Sequence, residues 1–519
     1  MRFANVNVSI GVAGGWPRFA SAVASDRVGG LVLGDVMAEY DLIIRNGTVV
    51  TATDSALCDV AVRDGKIAAL GAGLGAAERE IDATGKLVLP GGVDSHCHIE
   101  QPRPDGNTNA DTFESATTSA AFGGTTCVIC FSPQFKGLGG IKERAEDYHA
   151  RARKSVVDYS FHVIITNPTP AVIEEELPPL VAAGHRSVKM FLTYEPSFLT
   201  DDEVLTVLAA ARKNQAFVVI HAENHAAIRW MTARLEKAGL TSAKYHAWCK
   251  PAIVEREAIQ RVIALAEIVD VPIQIFHVSS EEGAEEIRRA QGRGVKVFGE
   301  TCVQYLAFTQ DDLDRPGEEG AKFVFSPAPH AASDREALWK HIQIGTLGVV
   351  SSDHAPYQFG GEKGKQAIAR VSPFSKIPNG VPGLETRMPY LFSAGVKTGR
   401  IDLQTFVAIT ATNPAKLFGL HPRKGSIAPG MDADIGIWDP ELTREVKAAE
   451  LHSLTDHTPF EGMRLTGWPV TTLVRGAVVM DGGRRHVEPG HGQFQARGVY
   501  PLIMPRGVFP TPFNPHEGQ

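Results

Sequence analysis

The chain of 519 residues is 43% apolar and 21% charged, the balance of an ordinary globular protein. Its 52 basic and 59 acidic side chains leave a net charge of −7, so no basic field points to nucleic acid or to an anionic membrane as partner. No stretch approaches the ~18 uninterrupted apolar residues of a membrane-spanning helix, and six cysteines in this length make no disulfide scaffold and fit a reducing, cytoplasmic setting.

Residues 1–36 lack clear periodicity and the compact apolar run of a signal peptide. They read as an N-terminal extension, disordered or non-native, with Met37 as the expected start. The codons for Gly34, Asp35 and Val36 can spell a bacterial ribosome-binding site just before it. Patterned sequence then begins with "YDLIIRNGTVVTA", where Asn46-Gly47 signals a type I′ hairpin, and "CDVAVRDGKIAAL" repeats the device at Asp64-Gly65. Far downstream, "GSIAPGMDADIGIWDP" and "VTTLVRGAVVMDGG" have the same turn-punctuated alternation. Neither β-rich end is large enough to close a core alone. Residues 37–88 and 425–490 are therefore expected to form one composite β-sandwich, with 89–424 inserted between them.

The inserted section alternates strand-like and helix-like segments. Strands are expected at "KLVLPGGVDSH", "TTCVICFS", "DYSFHVIITN", "RSVKMFLTY", "AFVVIHAEN", "VPIQIFHVSS", "VKVFGETC" and "TLGVVSSDHAP". Helices such as "DDEVLTVLAAARKNQ" and "EREAIQRVIALAEIVD" lie between them, and Asp111 and Glu114 in "DTFES" have capping-box spacing. The pattern predicts an α/β fold, a (β/α)₈ TIM barrel. Residues 491–519 are Pro-rich and suit an extended arm.

Such barrels carry their chemistry at the C-terminal ends of the strands. The first strand ends in His96-Cys97-His98, the fourth carries Lys189, the fifth His221, the sixth His277 and the eighth Asp353. His-x-His on a strand puts both imidazoles on one face, a half-site for zinc. Singly, each residue has a plain reading: a core histidine, a turn aspartate, a buried amine paired with an acid. Jointly, strand ends of one barrel supply four histidines, an acid and a lysine, which points to a metal centre. An ammonium at Lys189 would repel a metal, but a lysine kept neutral by burial can take up CO₂ and become a two-oxygen carbamate, able to bridge metals ~3.5–4 Å apart. The other histidines read as surface or structural groups, with His354 a candidate for supporting a ligand. Cys127 and Cys130, three apart on a strand, face opposite sides and do not read as a metal or redox pair.

"LPGGVDSHCHIE", "VKMFLTY", "VIHAEN", "FHVSS" and "SSDHAP", joined by "GETCVQYL", "KIPNGVPGLETR" and "RGAVVMDG", strongly resemble the cyclic amidohydrolases of the dihydropyrimidinase and hydantoinase branch, from about Met37 to about residue 490. The resemblance implies a TIM barrel with a composite β-sandwich and two Zn(II) ions. His96, His98 and Asp353 would hold one ion and His221 and His277 the other, bridged by carboxylated Lys189. It further implies hydrolytic opening of a cyclic amide by a zinc-bridged hydroxide, with Asp353 as general base and then acid. Tyr194 would donate to the carbonyl oxygen, and Ser326 and Asn379 would read the substrate's amide. Partners would be a small-molecule substrate and further copies of the chain, as a homotetramer or homodimer.

Where dihydroorotases carry an arginine two residues after the second histidine, this chain has Glu100, which disfavours that activity; allantoinases tend to have Asn there. The loop "QPRPDGNTNAD" is polar where hydantoinases for aromatic rings carry an apolar lid, and Pro-Ala-Pro-His follows Ser326 in place of the usual Pro-Leu-Arg. Both departures lead us to expect a small or polar ring: a dihydropyrimidine, a cyclic imide or another ureide. Phe191 and Phe198 are candidates for an apolar wall. The alternatives are an allantoinase-type ureide hydrolase, a non-catalytic dihydropyrimidinase-related scaffold, disfavoured by the full ligand set, and a mononuclear deaminase with Glu223 as base, against which Lys189 argues.

Overall fold

A computed structural model describes residues 38–102, 108–137 and 140–517, so the expectation for residues 1–36 lies outside the described residues. Eight strands form the central sheet: β1 Gly92–Cys97, β2 Thr125–Pro133, β3 Asp158–Ile164, β4 Ser187–Phe191, β5 Phe217–His221, β6 Ile273–Ile275, β7 Val297–Cys302 and β8 Leu347–Ser351. They pair in chain order and all in parallel. A parallel bridge between Cys97 and His354, with His98 N–H donating to His354 C=O at 2.7 Å, brings the last strand back to the first. The molecule is thus the expected TIM barrel. Because helices cover its outside, its strands are apolar on both faces. Period-two geometry sends Val188 and Met190 outward against the helices. The same geometry turns Lys189 inward, among Phe131, Phe191 and Phe276.

Two further sheets flank the barrel. One holds Tyr40–Arg45, Asp59–Arg63, Lys66–Gly71 and Ala77–Asp82. The other is built from both ends of the chain: Leu87–Pro90 pairs antiparallel with Ile435–Glu445, which leads on to Arg464–Val474 and Ala477–Asp481. Leu42, Ile44 and Val60 of the first sheet share one core with Ile435, Ile437 and Leu473 of the second, so the two sheets pack face to face. Lys424, fully buried, pins this unit to the barrel: its ammonium lies 2.7 Å from Asp158 of β3 and 2.6 Å from Asp434. Residues 493–497 run beside the N-terminal ends of β3 and β4, where Tyr159 exchanges backbone hydrogen bonds with Gln493 and Gln495, and buried Arg497 donates to Ser187. Among the described residues no helix is long and apolar enough to cross a membrane.

Two local expectations are corrected. Asp64 and Gly65 both have positive φ and join paired strands, as a type I′ turn requires, but at Asn46-Gly47 only Asn46 (φ 61°) is left-handed. The flanking strands there enter different sheets, so that turn is a crossover. The helix Phe113–Phe122 is capped by Thr112 with Ser115, not by Asp111 with Glu114. Asp111 instead accepts hydrogen bonds from Ser115, Ser453, Leu454 N–H and the His354 ring.

Candidate active site

All nine side chains singled out in the sequence (His96, His98, Lys189, Tyr194, His221, His277, Ser326, Asp353 and Asn379) border one cavity of about 410 Å³ at the C-terminal mouth of the barrel. His96 Nε2 and His98 Nε2 approach Asp353 Oδ1 at 3.1 and 3.2 Å. The rings of His221 and His277 lie 4.3 Å apart, centroid to centroid, with His277 5.3 Å from His96. Lys189 stands among these groups, 1% exposed, with no hydrogen-bond partner for its Nζ among the described residues. Three aromatic rings surround it, Phe276 nearest with its centroid at 4.4 Å. Burial pulls the lysine from 10.5 to about 7, only partly offset by Asp353 and Glu300. The paired-amine reading therefore fails on geometry: no acid among the described residues touches it.

The donor set fits a metal. Two ligand atoms each ~2.0–2.2 Å from a tetrahedral ion lie roughly 3.3–3.5 Å apart, close to the separations at Asp353. Metal ligation needs neutral imidazoles and ionised carboxylates. Burial depresses His98, takes His221 down to about 4 and holds His277 well below its usual value, whereas at His96 burial is outweighed by Asp353 and Glu300, which raise it. Burial opposes a carboxylate at Asp353, yet His96 and His98 outweigh it and keep the acid ionised. The backbone is strained at the same place: Tyr194 (φ 72°), His277 (φ 43°) and Asp353 (φ 45°) all occupy the left-handed region, which costs of order 1–3 kcal/mol each.

Residues 87–479 match the amidohydrolase family over most of the chain. The chain is 43% identical to D-hydantoinases of Rhizobium radiobacter and Ralstonia pickettii, in each case over 89% of this chain and 99% of the other. The crystal structure of dihydropyrimidinase from Brevibacillus agri NCHU1002 superposes with a TM-score of 0.85 at 38% identity, covering 88% of this chain and 99% of that one. The chain belongs to the amidohydrolase family. It is a cyclic amidohydrolase of the hydantoinase and dihydropyrimidinase branch, and the scaffold and deaminase alternatives fall away.

Within this amidohydrolase, supporting groups hold three of the candidate ligands, His96, His98 and His221, whereas His277 Nδ1 has no hydrogen-bond partner among the described residues. Glu300 of β7, fully buried, lies 2.6 Å from His96 Nδ1, and Gln101 Oε1 lies 2.5 Å from His98 Nδ1. Both acceptors fix the proton on Nδ1 and leave Nε2 free toward Asp353. Glu223 does the same from the other side, accepting from His221 Nε2 at 2.6 Å and leaving Nδ1 free. Sequence reading passed over Glu300, Gln101 and the buried Lys250. The signal for Glu300 was present in "VFGETC": a lone acid in a strand-like run, the same anomaly that drew attention to Lys189. His354 supports the site through its backbone carbonyl, while its ring bonds Asp111.

Glu100 accepts from Phe113 N–H at 2.9 Å and so caps a helix instead of facing the cavity. Of the segment Phe323–His330 only Ser326 borders the cavity, so the Pro-Ala-Pro-His departure does not reshape its wall. Phe191 lines the cavity, whereas Phe198 stacks on His225 with centroids 4.2 Å apart. Of the polar loop, Gln101 and Pro102 border the cavity, and residues 103–107 lie outside the described residues. Cys127 and Cys130 pack into different clusters, as period two demands.

Proposed function

We propose that this chain hydrolyses the ring of a dihydropyrimidine, hydantoin or cyclic imide to the N-carbamoyl or half-amide acid, using two Zn(II) ions. The observation that carries the reading is the isolated amine of Lys189 amid four histidines and Asp353. Near pH 7 about half of that amine is free base, the form that captures CO₂. As the carbamate it would join His96, His98 and Asp353 around one ion and His221 and His277 around the other. Zinc, when bound, supplies Lewis acidity that polarises the ring carbonyl and acidifies water.

The chain's own groups do the rest. Asp353 orients the attacking water, takes its proton and passes it to the leaving ring nitrogen, acting as base and then acid. The Tyr194 phenol is pushed up to about 12, chiefly by burial, so it remains a donor and can meet the carbonyl oxygen as negative charge grows on it. Ser326, beside Tyr194, and Asn379 hold the ring amide. Six free cysteines, five of them buried, support a cytoplasmic enzyme, and the family resemblance supports a homotetramer or homodimer. The test is ring opening by protein grown with zinc and bicarbonate, across dihydrouracil, hydantoin, a 5-aryl hydantoin, allantoin, succinimide, phthalimide and dihydroorotate. Turnover of one or more of the first three or of the imides is expected. Turnover of allantoin alone would move the assignment to the ureide hydrolases, and a metal-loaded protein that opens none of these rings would overturn it.

A further inference from the structure

Behind His221, a carboxylate and an ammonium are buried between the ligand cluster and the wall that faces the substrate. Glu223, 1% exposed, fixes the His221 ring. Alone, that carboxylate would be a liability: desolvated, and close to Tyr194, where the proposed reaction builds negative charge on the carbonyl oxygen. Lys250, 5% exposed, removes the liability. Its Nζ lies 2.8 Å from Glu223 Oε2 and donates to Ser326 Oγ at 2.5 Å, while Ser326 Oγ donates to Glu223 at 3.0 Å. The same ammonium stands 5.3 Å from the centroid of the Tyr194 ring. One buried cation thus touches the support of a candidate ligand, a residue of the amide-reading wall and the surroundings of the carbonyl donor.

We propose that Lys250 is a positioning residue for ring opening: through Glu223 and Ser326 it holds the wall around Tyr194 in register and makes the local field there positive. The proposal rests on the ring-opening reading above. It differs from an ordinary structural ion pair in what it predicts. A structural pair would set stability, whereas this cation sets the rate of the step in which charge grows beside Tyr194.

Geometry also supplies the test. Lys250 borders a second cavity of about 480 Å³, which meets the first at Tyr194, Glu195, Ser375, Lys376 and Asn379, so a small amine can reach the space that truncation leaves. In Lys250→Ala carrying wild-type metal content, kcat for the best ring of the panel is expected to fall ~30–100-fold with KM within ~3-fold. Lys250→Arg is expected to keep kcat within roughly fivefold, because it preserves the charge and the donors. Ethylammonium should restore kcat in Lys250→Ala and leave wild type unaffected, whereas tetramethylammonium, which has no N–H, should not. An unchanged kcat in metal-loaded Lys250→Ala, or a loss that neither arginine nor ethylammonium repairs, overturns the proposal.

If Lys250→Ala does not fold, the neutral pair Glu223→Gln/Lys250→Met is measured instead, since it keeps volume and leaves no buried anion alone. It is expected to fold with kcat ~10-fold down; wild-type kcat there overturns the proposal. Wild type that opens no ring removes the ring-opening reading and this proposal together, whereas ring opening that is indifferent to Lys250 removes the proposal alone.

Discussion

Replacing Lys189 by methionine is expected to stabilise the metal-free protein while ending metal binding. The amine is buried, unpaired and drawn from 10.5 down to about 7, a difference worth about 5 kcal/mol at 1.36 kcal/mol per pKa unit. The sign follows from linkage. A folded pKa below the unfolded one means that protonation favours the unfolded chain, so the cost is fully present below pH ~7 and fades as pH rises toward 10.5. The cost is about 5 kcal/mol at pH 6 and about 2 kcal/mol at pH 9. Methionine carries none of it and fills similar space among Phe131, Phe191 and Phe276. The assay is urea unfolding of both proteins in chelator and CO₂-free buffer at the two pH values. Lys189→Met should lead at pH 6, and its lead should shrink by about 3 kcal/mol at pH 9. A lead that does not change with pH, or a variant weaker than wild type at pH 6, would refute the reasoning and mean that an acid pairs with Lys189 in solution.

Tyr194→Phe should lower turnover on the order of a hundredfold with metal content intact, the usual loss for one oxyanion donor; turnover equal to wild type would remove Tyr194 from the mechanism. Glu300→Gln should weaken metal binding roughly 10–100-fold, read by competition with a chelating dye, because Gln can present its NH₂ to His96 Nδ1 and no longer forces the Nε2-free tautomer. Lys424→Met should destabilise by about 3 kcal/mol, since Asp434 is then left buried without its cation and Asp158 keeps only Arg475 as a cation. A melting temperature within a degree of wild type would show that water reaches those acids.

The elements that chemistry requires at the strand ends were readable from local pattern. Period two decides that His96 and His98 share a face and that Lys189 points away from Val188 and Met190, and no tertiary contact is needed to know it. The eight apolar runs punctuated by helices likewise determine a barrel, because parallel strands need crossovers and both faces covered. Turn chemistry was legible where both residues of the turn serve one hairpin, as at Asp64-Gly65, and misleading at Asn46-Gly47, where the same dipeptide passes the chain between sheets. Which sheet a strand joins is settled by partners hundreds of residues away, such as Leu89 opposite Gly436, and local sequence carries no record of them.

The pairings of the supporting layer were decided by tertiary structure alone. Glu300 meets His96 across 204 positions and Lys250 meets Ser326 across 76, and their residue types give no hint of those pairings. Only the closed barrel shows that no acid among the described residues touches Lys189, because lacking a partner is a property of all the elements around it. Local spacing thus determined which groups face the cavity, whereas burial and long-range pairing decided their charge: a lysine that is partly free amine at neutral pH, neutral imidazoles at His98, His221 and His277, and a carboxylate held ionised at Asp353.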